Sequence, residues 1–108
     1  MSESNISALS AIGVDQQVAA NNMANMNTDG FKASSVEFES GPEGQGVRVA
    51  DIRQSTTAGP LVNGVEGSNT DVGREMVDMI SRADSFSANV AAIRASDEMT
   101  GHLLNMIA

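Results

Sequence analysis

The sequence predicts a mainly α fold, with an amphipathic helix at each end of the chain and a small β-hairpin and loop region between them. Three observations carry this. Val72, Met76, Met79, Ala83, Phe86, Val90 and Ile93 recur at alternating spacings of four and three, which keeps one apolar stripe on one side of a helix. Ile6, Leu9, Ile12, Gln16, Ala19, Met23 and Met26 form a second, weaker stripe near the other end. The chain between them is Gly-rich and carries the turn dipeptides Asp29-Gly30 and Gly59-Pro60. Two stripes at opposite ends of one chain can cover one another.

The first helix is expected over residues 5–26, about 33 Å long, with Ser4 or Asn5 as its cap. Val14 and Val18 widen its stripe. Gly13 costs about 1 kcal/mol there relative to Ala, and it permits close approach by a neighbouring backbone. Asn25, Asn27, Thr28, Asp29 and Gly30 then break the helix, with Gly30 expected at positive φ. Phe31–Phe38 reads as extended chain and Ser40–Gly46 as a loop. Val47, Val49 and Ile52 alternate with Arg48, Ala50 and Asp51, the pattern of a half-buried strand. Residues 35–39 are expected to pair with 47–53. A lone two-stranded hairpin is only marginally stable, so the helices or a neighbour must support it.

Residues 54–70 read as a linker or long loop, pinned by Leu61-Val62. Ser68 and Asp71 have capping-box spacing, and Asp71, Glu75 and Asp78 suit the positive end of the helix that follows. That helix, continuous from residue 71, would span about 55 Å. Its stripe slips near the end: Asp97 and Thr100 take the seam positions while Met99 and Leu103 lie one position away. This predicts a local change in winding. The chain thus divides into 1–32, 33–70 and 71–108.

Composition narrows the function. The 108 residues make one small domain, and with three Phe, no Trp and no Tyr a thick core is hard to build. Seven Met suit thin helix-on-helix packing. The net charge of −8 leaves no basic patch for phosphates, which argues against nucleic acid or anionic lipid as a partner. No run of about twenty apolar residues exists to enter a membrane. The first residues, Met-Ser-Glu-Ser-Asn, lack the basic and apolar regions of a secretory signal, though a dedicated export system needs neither.

No constellation of catalytic or cofactor-binding residues stands out. His102 is the only histidine, and Glu98 lies four residues before it, which suits an ordinary helix-surface pair as well as an acid–base dyad. Asp78 and Arg82 have the same spacing and read the same way. With no Cys and one His a zinc site lacks ligands, and the glycines fit neither phosphate-binding pattern. Neither catalysis, a metal nor a cofactor is expected. The four asparagines Asn21, Asn22, Asn25 and Asn27 are costly to helix formation. They read either as side-chain caps on a fraying end or as a hydrogen-bonding patch at a subunit junction.

Ala20–Lys32, A-N-N-M-A-N-M-N-T-D-G-F-K, resembles the N-terminal signature of the bacterial flagellar basal-body rod and hook family, and residues 7–19 resemble the helix leading into it. Residues 66–80, E-G-S-N-T-D-V-G-R-E-M-V-D-M-I, and 82–107 resemble the family's C-terminal signature. The resemblance implies terminal helices paired in a coiled-coil-like layer, polymerised around an axial tube, with further copies and other rod subunits as partners. It also implies export through the flagellar secretion apparatus without a cleaved signal, and a final place in the periplasmic rod. Carried over by residue, Leu9, Ile12, Met23 and Met26 fall in the N-terminal helix, and Asn21, Asn22, Asn25, Asn27 and Gly30 at the junction after it. Met76, Met79, Ile80, Phe86, Asn89, Ile93, Met99, Leu103 and Leu104 fall in the C-terminal helix.

Two departures matter. The middle, about 33–65, is short beside relatives with β-rich outer domains, which implies a proximal-rod type of subunit or a diverged accessory member. Met23 and Met26 replace the branched aliphatics usual at those sites. The alternative to a rod subunit is a non-flagellar helical adaptor that forms a discrete homo-oligomer.

Overall fold

The computed structural model describes residues 2–107. Helix α1 (Ser2–Ala24) is followed by strands β1 (Ser34–Ser40), β2 (Val47–Gln54), β3 (Leu61–Val62) and β4 (Val65–Glu66), then by helix α2 (Val72–Ile107). The two helices pack antiparallel: Asn22 meets Glu75, Gln16 meets Met79 and Asp15 meets Arg82. The β1–β2 hairpin lies on another side of α1, so α1 is flanked by both neighbours. The molecule is thin and long, 74 × 26 × 14 Å.

α1 begins earlier than expected. Ser4 and Asn5 lie inside it rather than at its cap, and Ser7 Oγ donates to the Ser4 carbonyl at 2.8 Å, a bond that helical geometry itself provides. The same Ser7 Oγ accepts the Val47 N–H at 3.1 Å, which ties the start of β2 to the helix. α1 ends at Ala24, where Met26 N–H turns to the Met23 carbonyl in a tightened last turn. Its buried apolar residues are Ala11, Ile12 and Ala19. Their small average size lets both neighbours come close.

The hairpin pairs as the alternation predicts, from Ser34↔Gln54 to Ser40↔Val47, with a bulge between Glu37 and Phe38. Phe38 pairs with Val49 and Glu37 with Asp51, so Ala50 is the extra residue. A bulge shifts side-chain parity by one. It thereby brings Ile52, opposite Val36, onto the face that carries Val47 and Val49. The other face carries exposed ion pairs, Glu39 with Arg48 and Arg53 with Glu37 and Asp51.

The segment expected to be a plain linker contains a second hairpin. β3 and β4 pair around Asn63-Gly64, both at positive φ (53° and 79°), the signature of a type I′ turn. Asn-Gly between Leu61-Val62 and Val65 was the sequence signal for it.

Asp71 alone caps α2: its Oδ1 accepts the Arg74 N–H at 3.1 Å. Ser68 turns to Thr70 instead, so the capping box does not form. The covered line of α2 also differs from the apolar stripe. Val72, Met79, Val90 and Ile93 of that stripe are half-buried, together with Glu75, Arg82, Ser85, Asn89 and Ser96, whereas Met76, Ala83 and Phe86 are exposed. Glu75 and Arg82 turn inward because α1 offers them partners, and Met76 is thereby rotated out. α2 runs unbroken to Ile107, and residues 97–107 stand exposed beyond the cover of α1.

Candidate assembly surface

Two asparagines hold the junction and the chain around it. Asn22, only 1% exposed, donates Nδ2 to the Ser34 carbonyl at 2.7 Å and accepts the Ser34 N–H on Oδ1 at 2.9 Å. It thereby pairs with β1 as a strand residue would. Its Nδ2 also reaches Glu75 Oε1 at 3.1 Å, and its own carbonyl accepts from Thr70 Oγ1 at 3.0 Å. One amide side chain therefore joins α1, β1 and α2. Buried polar groups must be paired in this way, or their desolvation is uncompensated.

Asn69 ties together the chain on either side of the β1–β2 hairpin. Its Oδ1 accepts the Ala33 N–H at 2.6 Å, while Nδ2 donates to Ser55 Oγ at 3.1 Å and the Thr57 carbonyl at 2.8 Å. By position Asn69 is, with Ser68, Thr70 and Asp71, one of several residues able to cap α2. Nothing in a local pattern reveals a side chain that spans 36 residues to Ala33.

Glu66 completes the junction. It pairs with Lys32 and accepts the Gly59 N–H at 3.0 Å. The hydrogen bond from Lys32, with those of the Gly59 amide and the lysine charge behind it, lowers its pKa below the usual glutamate value. Gly59 itself has no room for a side chain, because a Cβ there would run into the Gly67 carbonyl. Gly30 takes the expected positive φ of 70° and donates its N–H to the Glu66 carbonyl at 2.8 Å.

Glu75 is perturbed in the other direction. Burial raises its pKa, opposed by the hydrogen bond from Asn22 and helped by repulsion from Asp78 and Asp15. Arg82 does not pair with Asp78, as its spacing suggested. It reaches across to Asp15 Oδ2 at 2.6 Å and lies over the Phe38 ring, 5.2 Å from its centroid. A single arginine thus clasps both helices and the hairpin.

The remaining predicted residues fall into two groups. Ile12 is buried, and Leu9, Met23, Met79, Asn89 and Ile93 are half-buried. Asn89 donates to the Ser85 carbonyl of its own helix at 2.8 Å. Asn25 bonds back to the Asn21 carbonyl at 2.9 Å and accepts from Thr28 Oγ1 at 3.0 Å, which is local capping. Asn21 and Asn27 are exposed. Met26 borders a cleft of about 470 Å³ with Pro60, Val62 and Val65 of the second hairpin. Met76, Ile80, Phe86, Met99, Leu103 and Leu104 are exposed, and Met106 and Ile107 reach 82%.

Apolar surface left exposed in this way is uncommon on a monomeric soluble protein. Glu98 and His102 sit on the same exposed stretch. Among the described residues no group of three potential metal ligands gathers, and no helix is long and apolar enough to cross a membrane.

Comparison with known proteins agrees with this geometry. Residues 63–106 match the family described as flagellar basal body rod FlgEFG protein C-terminal, a span that takes in the turn and second strand of the β3–β4 hairpin and nearly all of α2. Residues 3–32 match the flagella basal body rod protein family, which takes in α1 and the turn after it. No curated protein matches the chain. Asn22 joins the two matched segments through Glu75 and Thr70, and the chain belongs to the flagellar basal-body rod protein family.

Proposed function

We propose that this chain is a non-catalytic structural subunit of the flagellar rod that polymerises through its terminal helices around an axial channel. The observation that supports this most is the apolar end of α2. Five large side chains between Met99 and Ile107 stand exposed, at the end of a helix that matches a rod family. Covering them requires another chain. In the polymer the helices pair as a coiled-coil-like layer built from residues 1–32 and 71–108, with 33–70 as a short outer element. Leu9, Ile12, Met23, Met26, Met76, Met79, Ile80, Phe86, Asn89, Ile93, Met99, Leu103 and Leu104 contribute to it, and Asn21, Asn22, Asn25, Asn27 and Gly30 shape the junction.

The partners are further copies, other rod subunits and the flagellar export apparatus. The subunit travels without a cleaved signal, does not insert into the membrane and ends in the periplasmic rod. Its short middle fits a proximal position. Sedimentation velocity over a range of concentrations tests the reading, on the full chain and on a version ending at Ser96. Growth into extended species, alone or on added rod subunits, that requires residues 97–108 is the expected result. A discrete dimer or tetramer that never extends and ignores rod subunits would make the protein a helical adaptor instead.

A further inference from the structure

We propose that Asn63 is a site of spontaneous covalent modification, losing its side-chain amide to the neighbouring backbone so that isoaspartate and aspartate form in the turn of the β3–β4 hairpin. This stands apart from the rod reading and does not depend on it. The reaction begins when the Gly64 nitrogen, deprotonated by hydroxide, attacks Asn63 Cγ. A C–N bond forms, the side-chain nitrogen leaves as ammonia, and a five-membered succinimide closes. Water then opens the ring. Entry at the old backbone carbonyl leaves the chain running through Cγ, as isoaspartate; entry at Cγ gives aspartate. The net change is amide plus water to acid plus ammonia, with no oxidation or reduction.

Asn63 is the one asparagine of the sequence followed by Gly, so no Cβ crowds the attacking nitrogen. Both residues are exposed, which admits hydroxide and water. Among the described residues the Gly64 N–H has no hydrogen-bond partner, so no bond holds its proton in place. Ring closure needs Asn63 turned out of its φ of 53°, and leaving that turn is cheap. Each strand of the hairpin has two residues, and Leu61, Val62 and Val65 are all exposed. Asp29-Gly30 is the contrast within the same molecule. There the Gly30 N–H is committed to the Glu66 carbonyl at 2.8 Å.

The consequence reaches the junction. Isoaspartate adds one methylene to the main chain, which a two-residue turn has no slack to absorb, so Val62 and Val65 lose their pairing. Glu66, the partner of Leu61 in that hairpin, accepts the Gly30 N–H on its carbonyl and the Lys32 and Gly59 donors on its carboxylate. Either product also puts a new negative charge on the cleft that Asn63 shares with Asp29.

Trypsin releases residues 54–74 as one peptide, which carries Asn69-Thr70 beside Asn63-Gly64 as an internal reference. The full chain is held at mildly alkaline pH, and that peptide is followed by mass spectrometry. Asn63 should gain about 1 Da at least about tenfold faster than Asn69, with isoaspartate the main product. The rate should lie within about a hundredfold of that in the isolated peptide, because only a local opening precedes the attack. In chain carrying isoaspartate, the Gly30 and Gly67 amide protons should exchange about tenfold faster than in fresh chain. Asn63→Gly, which suits positive φ and has no amide to lose, should show no such change when aged alongside. Loss at Asn63 no faster than at Asn69, or slower than that hundredfold limit, would overturn the site. Unchanged exchange at Gly30 and Gly67 in chain carrying isoaspartate would overturn its link to the junction.

Discussion

The two ends of α2 are held in place by opposite chemistry. At its start, Asn22, Asn69, Glu66 and Asp71 satisfy backbone and side-chain groups from three elements, and little apolar surface is involved. At its end, five large apolar side chains are exposed and nothing covers them. The polar end is complete within one chain, because each hydrogen bond there has its partner. The apolar end is incomplete by construction, because burial needs a surface that this chain does not bring to that place. Geometry is fixed at one end of the helix so that adhesion can be offered at the other.

Asn22 is where this contrast breaks most easily. Asn22→Ala leaves Ser34 N–H and C=O and Glu75 without their partner at a buried site, at a cost of about 2–4 kcal/mol. With so few buried apolar residues, urea denaturation should show the chain largely unfolded. Next comes Gly59→Ala, which drives a Cβ into the Gly67 carbonyl. A loss of about 1–3 kcal/mol is expected, with the amide resonances of residues 59–67 shifting most.

The pH dependence sharpens the comparison within the polar end. Glu75 has a raised pKa in the folded chain, so the folded state keeps a proton that the unfolded state has lost. Stability therefore falls as pH rises from the ordinary glutamate value, about 4.3, through the raised one, and stays lower at neutral pH. Glu75→Gln, which still accepts from Asn22, should abolish that decline in a denaturation series from pH 4 to 7. Glu66 acts in the opposite sense. Its lowered pKa gives a contribution that is present above the ordinary value and lost as pH falls through the folded one.

The smallest effect belongs to the apolar end. Leu103→Ala or Leu104→Ala should change the stability of the dilute chain by less than about 0.5 kcal/mol, because both side chains are exposed there. The same substitutions should weaken assembly measured by sedimentation. A large loss of monomer stability would show that residues 97–107 are covered within one molecule.

Much of this fold was legible in the sequence. Both helices, the 34–54 hairpin and the positive φ at Gly30 follow from period and turn chemistry. The rotation of α2 was not legible. A stripe chosen by apolarity points Met76 inward and Glu75 outward, and only the partners on α1, Asn22 and Asp15, reverse that choice. Asn69 escaped for a similar reason, since its bonds join residues far apart in the chain. Within the chain Asn25 caps locally, whereas Asn22 is a tertiary tie. The second hairpin is readable only from Asn63-Gly64, because strands of two residues are too short to show an alternation.

The uncovered length of α2 also has a thermal signature. Residues 97–107 form a helical stretch of eleven, shorter than the roughly 12–15 residues that an isolated helix needs for even marginal stability in water. Held only at its inner end, this stretch unwinds from the tip as temperature rises, with no cooperative step of its own. Far-ultraviolet ellipticity of the dilute chain should therefore drift steadily before the main transition, and that slope should vanish once the tip is seated in an assembly.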